Sequence, residues 1–135
     1  MIIEPSTSAD DAHRIAAILV AHNNLHTPAT SREPFCLVVR EADVIVGGAL
    51  GWTAHRWCYV DILTLAPDAR GSGRGALLLT AVENLARDRD CLGVYLFSYS
   101  FQAPSFYEHF GYTSFGRIEN LPPGHSQVWL SKRLT

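Results

Sequence analysis

The seven residues Arg70-Gly71-Ser72-Gly73-Arg74-Gly75-Ala76 constrain this chain most, because they join two different periodicities. Upstream, residues 57–66 form an apolar run of extended character that ends in the turn signal Pro67-Asp68. Downstream, Leu78, Val82 and Leu85 recur at i, i+4 and i+7 through about Asp88, the spacing of one helix face. Glycines at 71, 73 and 75 leave the backbone N–H groups unobstructed where strand becomes helix. A helix N-terminus carries roughly half a positive elementary charge, and Arg70 and Arg74 add charge-assisted donors. Such a site favours an anion, and a glycine-rich helix entry that binds nothing is the alternative.

Gly93 opens a second β-rich run at 94–98, so strand, helix and strand form a βαβ unit with parallel strands and a right-handed crossover. The remaining elements are of another kind. Ser8, with Asp11 three residues on, resembles a capping box and starts a helix over 9–22. After a loop at 23–34, strands at 35–40 and 44–52 are joined by a tight hairpin connection at 41–43. A short helix spans 103–110, a strand runs from Gly111-Tyr112 to about 118, residues 121–124 make a turn, and 126–133 close the chain as a strand. The fold class expected is α+β (mixed α/β): one domain over 1–135, with a central, mostly antiparallel sheet of six or seven strands, one parallel pair and flanking helices.

This organisation separates competing readings of the loop. No Gly-Lys-Ser/Thr follows, which excludes a P-loop. Gly71-x-Gly73-x-x-Ala76 fits the looser dinucleotide fingerprint, but a single βαβ unit is too few for a doubly wound fold.

Composition narrows the partners. Eleven Lys and Arg against thirteen Asp and Glu give a net charge of -2, without the basic surplus that nucleic-acid binding needs. The 135 residues, 47% hydrophobic, can build a core without disulfides. Cys36, Cys58 and Cys91 are odd in number, far apart and set among apolar neighbours, as small core residues of a reduced compartment. The N-terminal residues lack the pattern of a signal peptide, and no apolar stretch approaches the roughly 20 residues of a membrane span. A soluble, cytoplasmic protein with neither nucleic-acid nor membrane partner is expected.

The loop also belongs to a longer pattern. Arg70-x-x-Gly73-x-Gly75 resembles the acyl-CoA signature (Gln/Arg)-x-x-Gly-x-(Gly/Ala) of the GNAT acetyltransferases, preceded as in that family by a hydrophobic-x-hydrophobic strand end and a Pro-acidic turn, Leu63-Thr64-Leu65-Ala66-Pro67-Asp68. Farther on, Ala103-Pro104-Ser105-Phe106-Tyr107-Glu108-His109-Phe110-Gly111-Tyr112 is similar to the family's second signature, Ala-x-x-Phe-Tyr-x-x-x-Gly-Phe, with Tyr112 for the last Phe and Ser100 at the usual upstream Asn. The resemblance covers about 35–133, and its C-terminal part looks like short bacterial members. It implies acetyl-CoA as cosubstrate; no metal is expected. Residues Gly71, Ser72, Gly73, Arg74, Gly75 and Ala76, with Arg70, would cradle the pyrophosphate, and the backbone of Leu63 and Leu65 would pair with the pantetheine arm as an added strand. Phe106 and Ser100, or Gln102 in its stead, would complete the cofactor side.

The same resemblance implies direct attack of an amine on the thioester through a tetrahedral intermediate, with a backbone N–H near Leu65 as oxyanion donor and the Tyr107 hydroxyl at the leaving sulfur. A lysine-like ammonium, with a pKa of about 10.4, is neutral only about 0.04% of the time at pH 7, so deprotonation costs roughly 4.6 kcal/mol. Asp61, two residues before Leu63, is the acid placed to help. Strand alternation predicts Tyr59, Asp61 and Leu63 on one face. Asp61 as general base and Asp61 as a carboxylate hydrogen-bonded to neighbouring strands or facing water both fit this pattern. Glu108 falls on the other side of its helix from Tyr107. Trp52, His55, Trp57, His22 and His26 are candidates for an acceptor wall. His22 and His26 have H-x-x-x-H spacing but lack a third ligand.

The expected function is acetyl transfer to a primary amine of a small molecule. Acetylation of a protein Lys or N-terminus, and a non-catalytic acyl-CoA sensor, are the alternatives. Exposed sheet edges leave a homodimer open.

Overall fold

The computed structural model describes residues 1–135 as two units, Met1–Ser31 and Arg32–Thr135. The first contains one helix, α1 (Ala9–Asn23), which starts where Ser8 Oγ accepts the Asp11 amide at 3.3 Å. Asp10 and Asp11 lie at its positive end, and His22 in its last turn. The helix extends one residue beyond the expected end, within the ordinary fraying of helix termini.

The second unit is a sheet with helices against it. Its elements are β1 (Glu33–Glu41), β2 (Val44–Ala54), β3 (Trp57–Leu65), α2 (Arg74–Asp88), β4 (Gly93–Tyr99), α3 (Pro104–His109), β5 (Thr113–Glu119) and β6 (Ser126–Arg133), with a single 3₁₀ turn at Pro67–Ala69. The six strands lie in the order β1-β2-β3-β4-β6-β5. Every neighbouring pair is antiparallel except β3 and β4, the parallel pair that the βαβ pattern implied. β1 starts at Glu33 rather than at 35 and includes Pro34, which an edge strand tolerates because one side of its backbone needs no partner. Two-residue turns with positive φ at Ala42 and Asp43, and at His55 and Arg56, close the β1-β2 and β2-β3 hairpins.

One sheet face carries the core. Cys58, Val60, Val94, Leu96, Val128 and Leu130 alternate inward and meet Leu78, Leu79, Val82 and Ala86 of α2. The C-terminal end of α2 is tied down by Arg89, which donates to the Glu33 carbonyl at 2.8 Å, the Pro34 carbonyl at 3.2 Å and Thr53 Oγ1 at 3.2 Å. The opposite face is aromatic: Trp52, Tyr59, Tyr95, Phe97, Tyr99 and Trp129 make a run of ring contacts across β2, β3, β4 and β6.

The alternation expected in β3 is broken at Asp61. Gly51 of β2 pairs with Val60 and Leu50 with Ile62, so Asp61 is an extra, unpaired residue, a β-bulge. Before it the even residues Cys58 and Val60 face the core; after it odd-numbered Leu63 packs there. Tyr59 and Leu63 therefore lie on opposite faces, because one inserted residue reverses a period of two.

Candidate active site

Parallel pairing of β3 and β4 runs only from Trp57 with Gly93 to Val60 with Leu96. Beyond that point β3 pairs with β2 alone, and β4 with β6. A cavity of about 1060 Å³ opens there, between Asp61, Leu63 and Leu65 on one side and Phe97, Tyr99 and Phe101 on the other. The glycine loop and α3 complete its wall. Along residues 61–65, β3 thus has a partner on one side only, and an extended chain can add to its open edge.

The loop has the backbone that its glycines were expected to allow. Gly71 and Gly73 have φ of 80° and 78°, and a Cβ on either would meet nothing within 4 Å. Their necessity is conformational rather than steric. Gly73 caps α2 with no side-chain hydrogen bond, and it lines the cavity with Gly75 and Ala76, so the amide dipoles of the first helical turn are presented to that space. Gly75 meets a different constraint, since a Cβ there would stand 3.3 Å from the Phe106 ring.

Ten of the thirteen residues singled out by sequence line this one cavity: Asp61, Leu63, Leu65, Arg70, Gly71, Gly73, Gly75, Ala76, Phe106 and Tyr107. Ser72 is exposed, and neither it nor Arg74 lines the cavity. Arg74 is committed elsewhere, pairing with Glu41 and donating to the Ala69 carbonyl at 3.1 Å, which pins the loop to the β1-β2 hairpin. Ser100 is also outside, its Oγ accepting the Ser126 amide at 2.9 Å. Gln102 does line the wall, and its Oε1 accepts the Tyr99 amide at 2.8 Å. Trp52, His55 and Trp57 are not part of the lining. No group of three or more His, Cys, Asp or Glu side chains is placed to hold a metal.

Tyr107 is only 7% exposed, its ring packed edge-on against Phe106 at 5.1 Å and Tyr112 at 5.7 Å. Burial pushes its phenol up to about 12, so it stays a proton donor throughout the neutral range. Behind it, Tyr112 donates to Glu83 Oε2 at 2.9 Å, and Lys132 Nζ donates to both Glu83 oxygens at 3.0 and 3.2 Å. Asp61 is exposed on its bulge. Tyr59 has its phenol raised by burial first and then by the charges of Asp61, Tyr95 and Tyr99.

Sequence reading missed two sets of residues here. Phe97, Tyr99 and Phe101 line the cavity, and their signal was the two-residue aromatic spacing Tyr95-x-Phe97-x-Tyr99-x-Phe101. Glu83 was the other, an acid on the apolar stripe of α2 beside Leu79, Val82 and Ala86.

A glycine-capped helix start, an open strand edge and a buried tyrosine thus meet on one cavity. Comparison with known proteins gives the class. The acetyltransferase (GNAT) family profile matches residues 6–112. The chain is 32% identical to acetyltransferase Atu2258 of Agrobacterium fabrum over 98% of this chain and 97% of that one. It is 36% identical to blasticidin-S acetyltransferase of Streptomyces morookaense over 70% of each. A crystal structure of an acetyltransferase from Bacillus cereus superposes with a TM-score of 0.93 at 31% identity, covering 99% of this chain and 98% of that one. The chain belongs to the GNAT acetyltransferase family, as a small GNAT-fold acetyltransferase.

Proposed function

We propose that this protein transfers an acetyl group from acetyl-CoA to a primary amine of a small molecule. The observation that carries the reading is the convergence of three features on one cavity: the open β3 edge at Leu63 and Leu65, the glycine entry to α2, and Tyr107. These residues fit the donor. Amides of residues 71–76 and Arg70 would hold the pyrophosphate, the β3 edge would hydrogen-bond the pantetheine amides, and Phe106 would pack against the arm. The bound thioester supplies an activated acyl carbon.

The chain's residues then have three tasks. Asp61, exposed on its bulge at the acceptor side, holds the incoming ammonium and takes its first proton, directly or through water. A backbone N–H near Leu65 donates to the carbonyl oxygen as charge develops on it. Tyr107 donates a hydrogen bond to the departing sulfur. With its phenol near 12 and a thiol near an ordinary 8.5, complete proton transfer from Tyr107 would be uphill by roughly 5 kcal/mol, so it acts by hydrogen bonding. In the balance a C–N bond forms and a C–S bond breaks; of the two protons that the ammonium loses, one ends on sulfur and one in solvent.

A small-molecule acceptor is supported by the relative at 36% identity, whose name states that it acetylates blasticidin S. The test uses purified full-length protein: acetyl-CoA should raise the Tm, and a library of amines should contain some that release CoA thiol. Tyr107→Phe should lower kcat roughly tenfold to a hundredfold, the loss of one hydrogen bond to a charged atom, while keeping the Tm shift. Wild-type activity in that variant would remove the hydroxyl from the mechanism.

A further inference from the structure

The cavity lining carries few ionisable side chains. Arg70 lies on the cofactor loop and donates to the Leu65 carbonyl at 3.0 Å, and His109 ends α3 with its ring edge-on to Phe110. The lining also holds Asp61, its only carboxylate, on the β3 side, and the aromatic residues Phe97, Tyr99 and Phe101 on β4 and just after it. Phe97 and Tyr99 meet at 5.2 Å, and Tyr99 and Phe101 stack at 5.5 Å with their planes 11° apart. His125 braces Phe101 edge-on at 4.7 Å. Despite this bracing, Phe101 is 56% exposed, so a large flat ring stands open on a cavity whose other side holds a carboxylate.

Aromatic faces carry the negative part of a quadrupole and attract cations. The same side of the sheet already holds a planar one: the Arg32 guanidinium carbon lies 4.2 Å over the Trp52 ring, which in turn meets Tyr59 at 4.7 Å. A guanidinium is more weakly hydrated than an ammonium and stacks flat, so it loses less on leaving water for such a surface.

We propose that Asp61, Phe97, Tyr99 and Phe101 form an acceptor subsite for a small amine bearing a second, planar cation of guanidinium type, which stacks on Phe101 and Tyr99. The proposal rests on the acetyl-transfer reading of the cavity. In this arrangement Asp61 attracts the reacting ammonium, and the aromatic pair holds the far end of the molecule. A plain alkylamine of equal length gains only the burial of its methylenes.

The experiment compares guanidinoalkylamines of graded length with alkylamines of the same lengths, using wild-type protein, Phe101→Ala and Phe101→Tyr. Thiol release gives kcat/KM, and Tm is recorded with each amine in the presence of CoA. Wild type should prefer the best guanidinoalkylamine by about tenfold, the effect of one partly exposed cation–π contact. Phe101→Ala should bring that ratio close to one, and Phe101→Tyr should restore it. Equal kcat/KM for the two series in wild type overturns the subsite and leaves acetyl transfer standing. A guanidinoalkylamine Tm shift abolished by Phe101→Ala, with no turnover of any amine, supports the subsite and overturns the transfer reading. Absence of both turnover and Tm shift overturns the subsite. An unchanged ratio, together with a wild-type dimer in sedimentation that Phe101→Ala dissociates, would assign this face to a second copy of the chain, and overturns the subsite as well.

Discussion

Asp61 owes its position to a single inserted residue. In a regular β3 its side chain would share a face with Tyr59 in the aromatic layer; as the extra residue of a bulge, it lies unpaired where β3 and β4 part. This position gives the carboxylate access to solvent and to the cavity at once. Asp61→Asn keeps the shape and removes the charge. We expect kcat to fall by about a hundredfold or more if the group accepts the proton, and the limb of the pH-rate profile that reports the base to disappear. Glu108→Gln is the contrast, since Glu108 is exposed and outside the cavity lining. Equal losses in the two variants, measured as kcat/KM across pH, would remove Asp61 from the chemistry. The sequence showed an acid in an apolar run, and strand alternation put it on one face with Tyr59 and Leu63, a direction that the bulge overturns. Direction depends on the register between β2 and β3, which local composition does not encode.

At the scale of elements, what could be read from sequence was whatever is settled locally. The loop before α2 needs positive φ at two positions, and glycine is the residue that supplies it without strain. The parallel pair followed from the alternation of strand, helix and strand. Roles that depend on distant partners were less legible. Arg74 looked like a phosphate donor in sequence, yet its nearest anion is Glu41, more than thirty residues earlier. Ser100 sat at a signature position, yet its hydroxyl meets Ser126 from the next strand over. Gly73→Ala tests the local part. An L-residue at φ 78° costs about 1–2 kcal/mol, and no neighbouring atom blocks the added methyl, so the variant should fold with a lower Tm. It should also lose most of the acetyl-CoA Tm shift, because the strain is relieved by turning the loop amides. A full shift in a destabilised variant would separate the φ requirement from anion binding.

Across the whole molecule, buried polar chemistry joins parts that lie far apart in sequence. Glu83 of α2 is 7% exposed and receives hydrogen bonds from Tyr112 and from Lys132 of β6, so it links the helix after the cofactor loop to the strand between β4 and β5. Glu83→Ala leaves Lys132 unpaired and should cost about 2–4 kcal/mol in urea unfolding. Alkaline pH acts on the same core through thiols. Burial, then the neighbouring Cys91, pushes Cys58 from 9.0 up to about 12, with Arg89 offsetting only part of the rise; Cys91 is raised as well, chiefly by burial. A group whose folded pKa is raised contributes stability that is complete below the unfolded value and is lost as pH climbs towards the folded one. For Cys58 that window runs from about 9 to about 12, and Tyr107 adds its own loss from about 10 upward. Unfolding free energy under reducing conditions should therefore be nearly flat up to about pH 8.5, then fall by up to roughly 1.4 kcal/mol per pH unit for each such group. Cys58→Ala should start lower, by about 1 kcal/mol for the lost packing, yet decline less steeply between pH 9 and 10, with Cys91 supplying the remaining slope. Parallel curves for the two proteins would mean that Cys58 ionises alike in the folded and unfolded chains, and would assign the alkaline loss to Cys91 and the phenols.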